Sequence, residues 1–302
     1  MTKIKAWINA ARLRTLPLSV SGIIVGTAIA KYHGKSDLLI FILALLTTIG
    51  FQITSNFAND YGDGVKGTDN DNRIGPKRAL QSGLLTRKEL KKGILISIVV
   101  SLALVGYLVF SAFGNQKLEY LLLFSAFGVI SVWAAIKYTV GDTAYGYKGL
   151  GDLFVFLFFG ILAVLGTMFL YTKFITLLSV LPAIAIGLLC TAVLNLNNLR
   201  DYETDKKSQK NTLVVKMGFE NGKKYHYLLL LFSFLCTVTF LAMSFSNLLV
   251  YLPLIAFVLI FVHLFKVYNI KEPVLLDPEL KKLALSTFFL AVLIFISCYY
   301  KN

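Results

Sequence analysis

The sequence predicts an all-α polytopic membrane protein with nine transmembrane helices, on three observations. Its 302 residues are 57% hydrophobic with a mean hydropathy of +0.71, more apolar surface than a soluble domain of this length carries. Long uncharged stretches recur along the chain. Basic residues gather on one side of those stretches. Backbone groups in lipid must be satisfied within the chain, so the stretches are read as helices.

In order, the uncharged stretches are 15–30, 38–58, 93–116, 120–136, 153–172, 174–196, 225–265 and 283–300. Most meet the ~20 residues that a helix needs to cross ~30 Å of hydrocarbon. The seventh stretch is too long for one crossing, and Ser246-Asn247 divides it, which brings the count to nine. Lys3, Lys5, Arg12 and Arg14 precede the first stretch without a small-residue cleavage site, so a retained helix is expected there, not a cleaved signal. Cys190, Cys236 and Cys298 lie inside apolar stretches with no metal-type spacing and read as structural thiols. His33, His226 and His263 stand apart near helix ends, where packing is the expectation for each.

The net charge of +14 does not point to nucleic acid once its distribution is drawn. Four basic residues precede helix 1, and eight, two, seven and four follow in the connections 2–3, 4–5, 6–7 and 8–9. Lys31, Lys35, Lys117, Lys173 and Lys301 are the five on the other side. This asymmetry places the N-terminus and the connections 59–92 and 199–224 in the cytoplasm. A multi-pass protein of a bacterial plasma membrane, in contact with membrane lipid and with no nucleic-acid partner, is the expectation.

Those two long polar connections open with matching words. Asn56 and Asp60 are four apart and followed by Tyr61; Asn197 and Asp201 are four apart and followed by Tyr202. Within a single domain spanning 1–302, this suggests a weak parallel repeat, helices 1–4 matching 5–8 with helix 9 extra. Repeats in membrane bundles commonly share a site at their interface.

The matched words are acidic. Asp60, Asp63, Asp69 and Asp71 stand in the first connection, and Asp201, Glu203 and Asp205 in the second. If the helices continue out of the membrane, Asp60 with Asp63, and Asp201 with Asp205, each share a face. Carboxylates crowded on one face repel unless a cation sits between them. Mg²⁺ takes one or two carboxylates together with phosphate oxygens and water. Asn59, Asn197 and Asn198 add neutral oxygens nearby. Lys66, Arg73, Lys77 and Arg78 follow the first cluster, Arg200, Lys206, Lys207 and Lys210 surround the second, and Lys148 stands in a short connection between them. Such cations bind phosphate oxygens and stabilise a departing diphosphate. The glycines Gly62, Gly64 and Gly67 lack the strand–helix context of a dinucleotide site.

Several ordered segments together carry a family likeness: Arg14-Thr15-Leu16-Pro17, Asn59-Asp60-Tyr61-Gly62-Asp63-Gly64 through Asp69, Arg73-Ile74-Gly75-Pro76, Tyr145 through Asp152, Asn197-Asn198-Leu199-Arg200-Asp201, and Lys210-Asn211-Thr212-Leu213. Over essentially its whole length the chain resembles the UbiA superfamily of intramembrane aromatic prenyltransferases, most closely its naphthoate-prenylating branch. The resemblance implies a nine-helix bundle around a central cavity that opens laterally to lipid. It implies two Mg²⁺ ions, one held by Asp60 and Asp63 with Asn56 or Asn59, the other by Asp201 and Asp205 with Asn197 or Asn198. Asp69 would be a third acid of the first motif, six residues after Asp63. Tyr145 and Lys148 would form a diphosphate-binding element, and Arg14 would hold the acceptor.

The implied reaction transfers a polyprenyl group from a polyprenyl diphosphate to 1,4-dihydroxy-2-naphthoate, with decarboxylation to demethylmenaquinol. Two rivals differ from it. A sister enzyme would use 4-hydroxybenzoate, homogentisate or chlorophyllide as acceptor. A secondary transporter would carry ionisable residues near the middle of its spans, and these spans are almost free of them.

Overall fold

The structure is a computed structural model, and it describes residues 2–68, 78–245 and 247–300. Asp69, Arg73 and Lys77 of the sequence-predicted site lie outside the described residues. Every regular element among those described is helical.

The chain begins with a short helix, α1 (Lys3–Ala11), capped by Thr2 and stopped by Arg12 in the left-handed conformation (φ 52°). Helix α2 (Leu16–Tyr32) follows, with Pro17 in its first turn, where the missing amide hydrogen loses no bond. Asp37 caps α3 (Leu38–Lys66) by accepting from the Leu39 and Ile40 amides at 2.8 and 3.1 Å. A reciprocal Thr86–Glu89 capping box starts α4 (Arg87–Phe113). Then come α5 (Leu118–Lys137), α6 (Gly151–Thr172) and α7 (Val180–Arg200). Two short helices, α8 (Tyr202–Lys207) and α9 (Leu213–Met217), lead into α10 (Phe219–Ser244), α11 (Leu254–Asn269) and α12 (Asp277–Tyr299).

Eight helical segments among the described residues are long and apolar enough to cross a membrane, and the 16-residue α11 is the shorter ninth. The division of stretch 225–265 is seen as the gap between α10 and α11. One expectation needs correcting at its boundary. The first long connection does not begin at residue 59, because α3 runs unbroken to Lys66 and stops only at Gly67, whose φ of +74° ends the helix. Its 29 residues span ~44 Å, more than the ~30 Å hydrocarbon core, so Asp60 and Asp63 stand in the length beyond one crossing and Asn56 just short of it.

Small residues let the helices approach closely, as is usual where lipid gives no hydrophobic drive to pack. A Cβ on Gly160 of α6 would lie 2.5 Å from the Cα of Gly187 on α7. One on Gly26 of α2 would lie 2.4 Å from the Val164 carbonyl oxygen. Between Phe156 and Gly166 the backbone of α6 widens into a π-helix, a form that favours functional sites and that hydropathy does not reveal. The main apolar core joins α2, α6, α7, α10, α11 and α12.

Two of the three histidines do not pack separately. His226 of α10 and His263 of α11 are buried and face each other, Nε2 to Nε2, at 3.1 Å. His263 Nδ1 is 2.8 Å from Glu279 Oε2 on α12, and Glu279 also binds Lys282. This chain of polar groups ties three helices together. The three cysteines are free thiols, two of them buried.

Candidate active site

A cavity of about 910 Å³ lies inside the bundle. Its deep wall is aromatic and apolar, with Phe51, Phe124, Phe127, Phe154, Phe158 and Phe159. Its other end is lined by Arg12, Arg14, Asn56, Asn59, Asp63, Thr68 and Arg78 from the first motif region. Asn197, Arg200, Asp201, Asp205 and Lys210 complete that end from the second. Acids from both motifs therefore face one space: Asp63 from the first, Asp201 and Asp205 from the second.

Within each motif the acids do different things. The buried Asp60 carboxylate accepts from Arg12 Nη2 at 2.6 Å and from the Ala79 amide at 3.3 Å, with Arg78 Nε at 3.6 Å. It is not among the cavity-lining residues. Asp201 accepts from both arms of its neighbour Arg200, Nε at 2.8 Å and Nη2 at 2.7 Å. Arg200 is itself buried and also reaches Asn197 Oδ1 at 2.9 Å and Asp277 Oδ1 at 2.7 Å. Such forked, charge-assisted bonds are strong and fix geometry.

Asp63 and Asp205 are the acids turned toward a shared cation. Tyr147 donates its hydroxyl to Asp63 Oδ1 at 2.7 Å. Asp205 Oδ1 is 3.8 Å from Lys210 Nζ, and its buried Oδ2 has no hydrogen-bond partner among the described residues. Burial, with the nearby Asp201 and Asp63 carboxylates, pushes the Asp205 carboxyl up to about 7 despite Lys210. Burial opposes a charged Lys210, but Asp63 and Asp205 together outweigh it and raise the lysine above its ordinary value. Asp205 thus pairs with that ammonium group directly, and Asp63 of the other motif acts on it through its charge.

Asn56 and Asn59 hydrogen-bond to neighbouring segments. Asn56 donates to the Ala11 carbonyl at 2.8 Å, tying α3 to the end of α1. Asn59 Oδ1 accepts from Thr139 at 3.1 Å. Gly62 lets Thr139 approach, since a Cβ there would lie 2.6 Å from its hydroxyl. Asn198 is buried and does not line the cavity.

Two predicted lysines lie off the cavity wall. Lys148 is exposed, and its carbonyl accepts from Lys216 Nζ at 2.6 Å. Lys66 is also exposed, with Nζ 3.8 Å from the Tyr147 ring centre. Tyr145 lines the cavity with its ring, while its hydroxyl donates to the Ala134 carbonyl at 2.8 Å. Sequence reasoning assigned no role to Arg12, Tyr138, Tyr147 or Asp277. Tyr147 stood inside a quoted segment, and Arg12 stood two residues before one. Tyr138 lines the cavity, and burial raises its hydroxyl to about 12, so it stays protonated as a donor.

No three His, Cys, Asp or Glu side chains among the described residues form a cluster that would hold a metal unaided. The arrangement suits a metal that brings other ligands. The partnerless Asp205 oxygen, its raised pKa and the nearby acids leave negative charge that a divalent cation would satisfy. Mg²⁺ needs only one or two carboxylates when phosphate and water complete its shell.

These features define a helical membrane protein with an apolar cavity, open in chemistry at one end to an anionic group. Residues 19–298 match the UbiA prenyltransferase family, and the chain belongs to that family. It is 42% identical over 296 residues to a 1,4-dihydroxy-2-naphthoate octaprenyltransferase of Haemophilus influenzae, covering 96% of this chain and 94% of the relative. To the enzyme of the same name in Escherichia coli (strain K12) it is 43% identical, covering 93% and 91%. Among solved structures, a UbiA homolog from Archaeoglobus fulgidus bound to GPP and Mg²⁺ superposes with a TM-score of 0.65 at 19% identity, covering 96% of this chain and 98% of that one. The same homolog bound to DMAPP and Mg²⁺ gives 0.60. These superpositions carry the fold.

Proposed function

We propose that the protein transfers a polyprenyl group from polyprenyl diphosphate to 1,4-dihydroxy-2-naphthoate with loss of CO₂, giving demethylmenaquinol. The convergence of Asp63 and Asp205 on Lys210, at the polar end of an aromatic cavity, carries the reading. The diphosphate lies at that end and the isoprenoid chain against the phenylalanines. The names of two relatives above 40% identity over most of the chain support the acceptor.

The residues divide the work. Asp63 and Asp205, with oxygens toward the cavity, are the first candidates to hold Mg²⁺, and Asp60 and Asp201 follow through their arginines. When bound, the metal would neutralise the diphosphate and ease its departure. Lys210, Arg12, Arg78 and Arg200 supply fixed positive charge around the leaving group. Tyr147 orients Asp63, and Asp277 orients Arg200. The apolar wall excludes water from the allylic cation until the ring attacks. The ring hydroxyls of the naphthoate push electron density onto the carbon bearing the carboxylate. Its departure as CO₂ restores aromaticity, so no side chain need remove a ring proton. Arg14, at the cavity wall, is the candidate for the acceptor carboxylate. The motif face is cytoplasmic on the distribution of basic residues.

Membranes carrying the protein, stripped with EDTA and restored with Mg²⁺, test the reading. Prenylation of 1,4-dihydroxy-2-naphthoate should vanish and return. Transfer to 4-hydroxybenzoate in preference would assign the protein to a sister activity.

A further inference from the structure

A second concavity lies outside the bundle. It is a groove of about 320 Å³ between α3 and α4, lined by Gly50, Ile53 and Phe57 on one side and Gly93, Ile96 and Val100 on the other. Trp7 of α1 closes its motif-face end, edge-on to Phe57 at 5.2 Å and in contact with Gly93. Ile96 and Val100 are 53% and 51% exposed, so this wall faces the hydrocarbon. From Gly93 to Val100 the groove follows ~10 Å of helix.

Charge changes sharply along one stripe of α4. Residues 88, 92, 96 and 100 recur every four positions and share a face. The first two are exposed lysines and the last two are the groove's aliphatic wall. Lys91 is exposed beside them, and Lys3 and Lys5 stand on the neighbouring α1. Glu89 lies on α4 among these lysines and is already paired with Lys3 at 2.7 Å. The helix α1 also presents Ile4, 72% exposed, beside its lysines, as an interfacial helix does.

We infer that this groove binds one anionic glycerophospholipid, an acyl chain lying along Ile96 and Val100 and the phosphate against Lys88 and Lys92. A basic cluster above an apolar wall matches both halves of such a lipid, and a tryptophan at the boundary is the usual interfacial anchor. The lipid would brace Trp7, and with it the α1 segment that ends at Arg12. The inference stands whether or not the proposed reaction does, because none of the groove's residues lines the central cavity.

Native mass spectrometry on detergent-purified protein, mixed with phosphatidylglycerol or phosphatidylcholine, tests the inference. The wild type should saturate at one phosphatidylglycerol and hold it roughly thirtyfold more tightly than phosphatidylcholine. Lys88→Gln with Lys92→Gln, at two exposed positions, should abolish that preference while leaving the protein folded. Ser97 also lines the groove, and Ser97→Phe, which fills it, should lose the saturable site for both lipids. Equal retention of the two lipids by the wild type, an unsaturable ladder of bound lipid, or undiminished binding by both variants would overturn it.

Discussion

Arg12 and Asp60 lie 48 residues apart in the chain and meet at 2.6 Å, Nη2 to Oδ1, with the acid fully buried. Arg200 and Asp201, adjacent in the chain, form the corresponding pair in the second motif at 2.7 Å. In both motifs the acid that follows the asparagine by four residues is held by an arginine. The later acid of each, Asp63 or Asp205, is the one coupled to Lys210. Breaking a buried ion pair by removing one partner costs about 3–5 kcal/mol where no other charge stands in; Arg78, 3.6 Å from Asp60, offsets part of that here.

Arg12→Gln should therefore destabilise the protein as well as inactivate it. Its midpoint of thermal unfolding in detergent, followed by size-exclusion fluorescence, should fall by several degrees. Adding Asp60→Asn should recover much of the stability and none of the activity. A single variant with unchanged unfolding would remove the pair from the account.

Lys210 and Lys148 should part company. Lys210→Gln takes the shared counter-charge from Asp63 and Asp205, and turnover should drop by at least about a hundredfold. The exposed Lys148 should tolerate glutamine within about twofold. A reversed pattern in a prenyl-transfer assay would favour Lys148 over Lys210 as the diphosphate-binding lysine.

Tyr147→Phe deletes a hydrogen bond to a carboxylate, an interaction of about 1.5–3 kcal/mol. The Mg²⁺ concentration for half-maximal activity should rise about tenfold or more, with a smaller change in the maximal rate. An unchanged Mg²⁺ requirement would show that Tyr147 does not position Asp63.

Gly160→Val should damage folding. Its Cβ would fall 2.5 Å from the backbone of Gly187, and backbone cannot move aside as a side chain can. Overpacking commonly destabilises by about 1–3 kcal/mol, and this contact belongs at the upper end. Yield and unfolding midpoint should both fall; an unaffected midpoint would contradict the close α6–α7 contact.

Much of this was legible in the sequence because hydropathy reports the membrane directly. The eight long apolar helices and shorter ninth among the described residues, and the division of stretch 225–265, follow from apolar length alone. The true end of α3 was not, because Gly62 and Gly64 look like turn residues while they serve close packing inside a helix. The π-helical widening at 156–166 leaves hydropathy unchanged. Arg12 with Asp60, Tyr147 with Asp63, and His226 with His263 are contacts between distant segments, and spacing rules reach only neighbours along one helix. Lys148 and Lys210 both stand in family-like segments and read alike in the sequence; only the fold shows that Lys210 lines the cavity beside Asp205 while Lys148 is exposed.

The central claim is decarboxylative prenylation, and carboxyl-labelled 1,4-dihydroxy-2-naphthoate measures it most directly. Membranes bearing the protein are supplied with that acceptor, a polyprenyl diphosphate and Mg²⁺, and labelled CO₂ and diphosphate are counted together. The expected result is one labelled CO₂ for each diphosphate released, with an unlabelled prenylated quinol. A prenylated product that keeps its labelled carboxylate would contradict the account.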